Sequence, residues 1–311
     1  MKIAIIGAGG IARKAYFPLI GCWPGIEITH IYSRTQETID QVSYEWEFTN
    51  GTTDINRVLD SKPDAVLILS STETHFDFCR LFLENGVDVY SEKSLTPTSQ
   101  EAFELGNIAD ANNRILAVGF NRRYALLYRQ AKELFAGRRI QFALFQKHRV
   151  GQGDKTISEL YLDDIIHQID LSRYFCGNLE AVSSAYTIEN EMIAGAVSTL
   201  QIPGGGQCVI AASKMSGAWQ ENATLHGDGM TIRVDAFAKL TVSYHDHDEV
   251  YGTDRPGKWI RDMRERGFYG ELDHFFECVK TRQKPITDAW EAGKTLELLE
   301  DLVGVAKESP K

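Results

Sequence analysis

The chain opens with "MKIAIIGAGGIARKAYFPLI", residues 1–20. Lys2 to Ile6 read as an apolar strand, and a glycine-rich turn and a helical pattern follow it. Gly7, Gly9 and Ala12 make the spacing GxGxxA. Gly7 permits the tight turn, Gly9 leaves room for a pyrophosphate to approach the backbone, and Ala12 lets the helix pack close to the strand. The helix N-terminus, at Gly10 and Ile11, supplies N–H donors and a positive dipole end. Glycines at this spacing are weak evidence alone. A strand before them and a helix after them is the context that dinucleotide binding needs.

Working outward, "IEITHIYSRT", residues 26–35, is the second strand. An NAD site usually places an acidic residue at the end of this strand, for the ribose 2′-OH. Here the tip reads Tyr32-Ser33-Arg34-Thr35. Arg34 can stack on adenine and pair with a 2′-phosphate, and Ser33 can donate to it. The expected cofactor is NADP, with NAD as the alternative.

Strand–loop–helix units continue over residues 63–86 and 87–113, and "RILAVGF", 114–120, is a further strand. Strands alternating with helices imply a parallel, doubly wound sheet, with ligands at the carboxyl ends of its strands. Ser70, Ser71, Thr72, His75, Glu92, Lys93 and Asn121 fall at or just beyond those ends. From about residue 121 the pattern changes to longer strands, at 140–149, 180–188, 194–202, 207–214, 221–226, 230–235 and 239–244. The expected organisation is a dinucleotide-binding domain, 1–120, and a domain for substrate and oligomerisation, 121–311. The second would be a mostly antiparallel sheet with the helix 163–175 on one face. Its other face, left open, favours a homodimer or higher homo-oligomer.

The formal net charge of -10 argues against nucleic acid or an anionic membrane as the main partner. Five cysteines, scattered and without a CxxC pair, read as reduced thiols of a cytoplasmic protein. The first apolar run is short, glycine-broken and followed by Arg13 and Lys14, so it is not read as a secretion signal. Residues 192–213 carry no charge, but Pro203 and Gly204 to Gly206 divide them into two strands joined by a turn rather than a membrane helix. In "LDDIIHQID", residues 162–170, Asp163, His167 and Asp170 stand at i, i+4 and i+7, on one face of an α-helix. That face is either solvated or turned to a substrate.

The ordered phrases "GAGGIA", "SSTETH", "EKSLTP", "VGFNRRY" and "LDDIIHQID" resemble the Gfo/Idh/MocA oxidoreductases, over nearly the whole chain. "GFNRRYALLY", "KHR" and "RGFYGELDHFFECV" resemble its MviM-type branch. The resemblance implies a Rossmann domain followed by an α/β domain with an open-faced, mostly antiparallel sheet. It implies hydride transfer between NAD or NADP and a hydroxyl or carbonyl carbon of a sugar, inositol or related polyol. Glu92 and Lys93 match the family's Glu-Lys-Pro signature, and Asp163 and His167 match its Asp-x-x-x-His. His167 would then take the hydroxyl proton, Asp163 would orient its ring, and Lys93 would stabilise charge on the reacting oxygen. Asp170 would bind a substrate hydroxyl. Two departures stand out. Ser94 replaces the proline, usually cis, that follows the lysine, which leaves the Lys93–Ser94 bond open between cis and trans. Ile165 replaces a common glycine.

"KHR", 147–149, ends a strand; with His148, Arg122 and Arg123 it makes either a basic rim suited to an anionic sugar or ordinary surface charge. "YHDHDE", 244–249, leads into "GTDRPG" and reads as a solvated loop; no metal is expected. The alternative to an enzyme is a regulatory or sensor protein that binds nucleotide and sugar on the same scaffold.

Overall fold

The computed structural model describes residues 1–151, 153–252 and 261–309, so most of the "GTDRPG" stretch lies outside the described residues. The chain divides into two compact units. One comprises Met1–Phe120 with Phe268–Gly293, the other Asn121–Gly267 with Lys294 onward.

The first unit is built on six strands: β1 (Lys2–Ile6), β2 (Glu27–Tyr32), β3 (Gly51–Thr52), β4 (Ala65–Ile68), β5 (Asp88–Glu92) and β6 (Leu116–Gly119). They lie in the order β3-β2-β1-β4-β5-β6, and every pair is parallel. This is the doubly wound order, whose ligand crevice lies where the order reverses, at the carboxyl ends of β1 and β4. Ile3 to Ile6 and Ala65 to Ile68 are all fully buried, as expected for strands covered on both faces.

One segment departs from the expected division at residue 120. The helix Phe268–Thr281 packs within the first unit, not the second. Tyr269 stacks on Trp23 with ring centroids 4.6 Å apart, and Phe275 lies 5.6 Å from Tyr90. Just beyond, the Thr287 carbonyl accepts from the Val118 N–H at 2.7 Å, extending the edge at β6. An amphipathic pattern shows that a helix has a buried face. It does not show which sheet receives that face.

The second unit holds a nine-stranded sheet formed by β7 (Phe142–Val150), β8 (Glu180–Glu189), β9 (Met192–Gln201), β10 (Gln207–Ser213), β11 (Met215–Gly227), β12 (Met230–Asp235), β13 (Lys239–Tyr244), β14 (His247–Gly252) and β15 (Ala306–Glu308). Only the β10–β7 and β15–β8 pairs are parallel, so the sheet is mostly antiparallel, as expected. The uncharged stretch is the antiparallel pair β9–β10, closed by a turn with Gly204 to Gly206 at positive φ. "YHDHDE" is not a loop. It is the β13–β14 hairpin, in which Tyr244 pairs with His247 and the two turn residues, His245 and Asp246, both have positive φ. His245 therefore does not share a strand face with His247.

The sheet's two faces are unlike. Ala143, Phe145, Ser198, Leu200, Cys208, Ile210, Ala223 and Leu225 point to the buried face. Phe142 and Val197 point to the opposite face, 38% and 50% exposed. The helix Ile166–Cys176 is buried along most of its length. It is entered through a π-helical turn, Leu160–Ile165, and another π-turn, Ala12–Tyr16, interrupts the helix after the glycine loop. Such turns are uncommon and recur at functional sites.

Candidate functional site

The first unit carries a cavity of about 450 Å³ at the carboxyl ends of β1, β2 and β4. Gly7, Gly9, Gly10, Ile11, Ser33, Arg34, Ser70 and Ser71 all line it, as expected. Gly7 has φ +98, and a Cβ there would stand 2.7 Å from the Ser70 backbone nitrogen; only glycine fits. A Cβ on Gly9 or Gly10 would meet nothing within 4 Å, so the backbone there lies open to a ligand. Ala12 is fully buried beneath the turn, where it packs helix against strand and does not touch the cavity. Ser33 is anchored through its N–H to the Thr52 carbonyl at 3.1 Å, and Arg34 beside it is exposed.

Thr38, Thr74 and Phe78 also line this cavity and were not anticipated. Thr74 donates to the Ser71 carbonyl and contacts the Ser70 hydroxyl, both at 2.8 Å. Phe78 follows one turn later, its ring 5.6 Å from that of Tyr32. The helical spacing of Thr74 and Phe78 was the available signal.

Other expected ligands sit elsewhere. Thr72 is outside the lining. His75 is buried, with Nδ1 2.7 Å from the Ser94 carbonyl and Nε2 3.0 Å from the Ser70 carbonyl. Burial pulls its pKa below the ordinary value, against those two carbonyls. His75 thus bridges the loops that carry Ser70 and Ser94. Lys93 is half-buried, its peptide bond to Ser94 is cis, and its N–H donates to Glu92 Oε2 at 2.9 Å. Glu92 Oε1 accepts from the Tyr16 hydroxyl at 2.5 Å, so this carboxylate faces inward. Asn121 belongs to the second unit, donating to the Arg266 carbonyl at 2.9 Å.

In the second unit, His167 is buried and its Nε2 lies 3.3 Å from Arg122 Nη1. Arg122 also forks onto Glu221 through two 2.9 Å bonds and donates to Asn121 Oδ1 at 2.9 Å. Burial would raise the Glu221 pKa, but Arg122 outweighs it and holds the carboxyl below its usual range. Arg122 is thus committed to protein groups.

Asp170, expected to meet a substrate hydroxyl, faces the core instead. It is fully buried and held by Arg123, with Nη2 2.7 Å and Nε 2.9 Å from its oxygens. A buried carboxylate needs such a partner, and the fork of arginine supplies it.

The π-turn decides the remaining placements. Asp163 is exposed and Asp164 is buried, because a π-helical turn does not advance at 100° per residue. Asp164 Oδ2 accepts from Lys214 at 2.9 Å and Oδ1 lies 3.2 Å from Lys147 Nζ, with Arg149 beside it. Burial would raise the Asp164 pKa, but these three cations hold it at about 2. Lys147 goes the other way. Burial brings it down to about 8, although Glu221 and Asp164 favour its charge. On β7, Lys147 shares the buried face with Phe145, while His148 has the parity of Phe142 and points to the opposite face. His148 therefore stands away from His167. Of the side chains read as a basic rim or as surface charge, Arg122 and Arg123 are paired with Glu221 and Asp170, and His148 is on the other face.

Residues 1–120 match the family model described as "Oxidoreductase family, NAD-binding Rossmann fold". This is the model of the Gfo/Idh/MocA oxidoreductases, and it spans the glycine turn and the six parallel strands of the first unit. Among its relatives, the scyllo-inositol 2-dehydrogenase (NAD(+)) of Bacillus subtilis is 24% identical over 319 residues, covering 96% of this chain and 92% of that one. The crystal structure of the MviM dehydrogenase of Clostridium difficile superposes with a TM-score of 0.89 at 24% identity, covering 97% of this chain and 98% of that one. KijD10, a 3-ketoreductase from Actinomadura kijaniata solved with NADP and TDP-benzene, has a TM-score of 0.83 at 18% identity, covering 99% and 98%.

Proposed function

We infer that this oxidoreductase uses NADP in preference to NAD and acts on a hydroxyl or carbonyl carbon of a neutral sugar, inositol or related polyol. The observation that carries the cofactor reading is the cavity wall where β2 ends. Ser33 and the exposed Arg34 stand there, in place of the carboxylate that would bind a ribose 2′-OH. The residues fit a dinucleotide: a glycine turn open to a pyrophosphate, a helix N-terminus behind it, and hydroxyls of Ser70, Ser71 and Thr74. Relatives of both cofactor types occur, one named for NAD(+) and one solved with NADP.

When bound, the nicotinamide supplies the hydride acceptor or donor. The chain supplies proton handling. His167, whose Nε2 faces the Arg122 guanidinium, is assigned as the base that takes the hydroxyl proton during oxidation and returns it during reduction. Lys93 is assigned to the reacting oxygen, where an ammonium stabilises developing negative charge. Asp163, exposed in the π-turn, is assigned to substrate hydroxyls. The names of two similar proteins, a scyllo-inositol 2-dehydrogenase and a 3-ketoreductase, support this substrate class.

Fluorescence titration of cofactor-stripped protein tests the reading. NADPH should bind more tightly than NADH, and Arg34→Ala should remove that preference by weakening NADPH at least tenfold. Equal weakening of both cofactors would count against a 2′-phosphate contact.

A further inference from the structure

The first unit buries a cluster of four oxygen-bearing side chains behind the Lys93 turn. Tyr16, Tyr90, Glu92 and Glu271 are 0%, 0%, 7% and 2% exposed. Three oxygens surround the Tyr16 hydroxyl: Tyr90 Oη at 2.7 Å, Glu92 Oε1 at 2.5 Å and Glu271 Oε1 at 3.1 Å. The rings of Phe268 and Phe275 pack against Tyr16 and Tyr90 at 5.7 Å and 5.6 Å.

Hydrogens can be counted. Each of the three contacts needs one hydrogen between its oxygens. Without it, two lone pairs face each other in an apolar surround. Tyr16 contributes one hydrogen and Tyr90 contributes at most one. Both phenols keep their protons, since burial and the two neighbouring carboxyls push their pKa values well above the usual. However the hydroxyls rotate, one contact is left for a hydrogen carried by a carboxyl group.

The two carboxyls are not equivalent. Glu92 accepts at both oxygens, from Tyr16 at 2.5 Å and from the Lys93 N–H at 2.9 Å. The first distance lies in the range of O–H···O⁻ bonds, which marks Glu92 as the ionised member. Glu271 makes the longest of the three contacts, at 3.1 Å, outside the range of a charge-assisted O–H···O⁻ bond, so it is not marked as the ionised member. Two carboxyls sharing one buried site separate in this way, one ionised and one protonated.

We propose that Glu271 is a neutral carboxylic acid at physiological pH, and that it positions Lys93 through a chain of hydrogen bonds. Glu271 donates to Tyr16, Tyr16 donates to Glu92, and Glu92 holds the Lys93 backbone N–H. Tyr16 belongs to the π-turn that follows the glycine loop, so the same chain ties the cofactor loop to the Lys93 turn. Glu271 is a positioning residue, since it acts on Lys93 only through Tyr16 and Glu92. The role given to Lys93 rests on the function proposed above; the protonation state does not.

Infrared spectroscopy of the full chain at neutral pH tests it. Wild-type protein should show a protonated-carboxyl C=O band, above the carboxylate region. Glu271→Gln should remove that band and melt with wild type, because the amide keeps an N–H donor toward Tyr16. Glu92→Gln should leave it in place. Glu271→Ala should lower the melting temperature, and where turnover is measurable it should reduce turnover that Glu271→Gln restores. A wild-type spectrum without the band overturns the proposal, as does a band that survives Glu271→Gln. Loss of the band in Glu271→Gln with no turnover in any variant upholds the neutral acid and counts against the proposed enzyme function instead.

Discussion

At the scale of single residues, the buried carboxylates Asp164, Asp170 and Glu221 are each held by cationic side chains. Asp170 lies on the predicted helix and fits a substrate contact by spacing, yet Arg123 claims it in the core. Asp164, the neighbour of the expected Asp163, has Lys147, Lys214 and Arg149 around its carboxylate. Its folded pKa of about 2 lies below the value in an unfolded chain, near 4. The folded state therefore gains stability that is fully present above about pH 4 and is lost as the pH falls toward 2. The contribution is on the order of 2 kcal/mol. Asp164→Asn should destabilise the protein at neutral pH, and its acid unfolding curve should be flatter between pH 4 and 2 than that of wild type. Parallel curves would show that the three cations do not stabilise the ionised form.

At the scale of elements, two kinds of periodicity decide where side chains go. A strand turns alternate residues to opposite faces, so neighbours in "KHR" part company: Lys147 is buried under the π-turn, while His148 is on the far face. Sequence alternation shows this parity once one residue of the strand is known to be inward. Helical periodicity misleads at residues 160–165, because the inserted π-turn changes the phase before the α-helix resumes at Ile166. The assignment of the two histidines follows from these elements. His167→Ala should abolish turnover while leaving NADPH affinity within twofold of wild type. His148→Ala should retain turnover. Kinetics and cofactor titration on both variants check the pair, and the reverse pattern would place the proton transfer on the other face of the sheet.

At the scale of the whole molecule, the nine-stranded sheet has one face that carries exposed apolar side chains. Val197 and Phe142 stand on it, 50% and 38% exposed, among strands whose opposite face is buried. Such an apolar surface favours association with a second copy. Val197→Lys should leave the melting temperature close to wild type, since the side chain touches no core. It should shift the protein toward the monomer in sedimentation or light scattering. If wild type is already a monomer, the open face is not an oligomer interface.

Sequence alone determined the parallel sheet of the first unit, though not that the helix Phe268–Thr281 packs beside it. The run Lys2–Ile6, the GxGxxA turn and the repeated strand–helix units specify a parallel sheet because each is a local pattern with one stable solution. The antiparallel character of the second unit was legible for the same reason, as was the lack of an acid beside Arg34. Tertiary structure alone decided which carboxylate is buried by a π-turn and which arginine claims Asp170. It also brought Glu271, far along the chain, against Tyr16 and Glu92. These outcomes depend on contacts between residues distant in sequence, formed only when desolvation forces each buried charge to find a partner. No local periodicity records such a pairing.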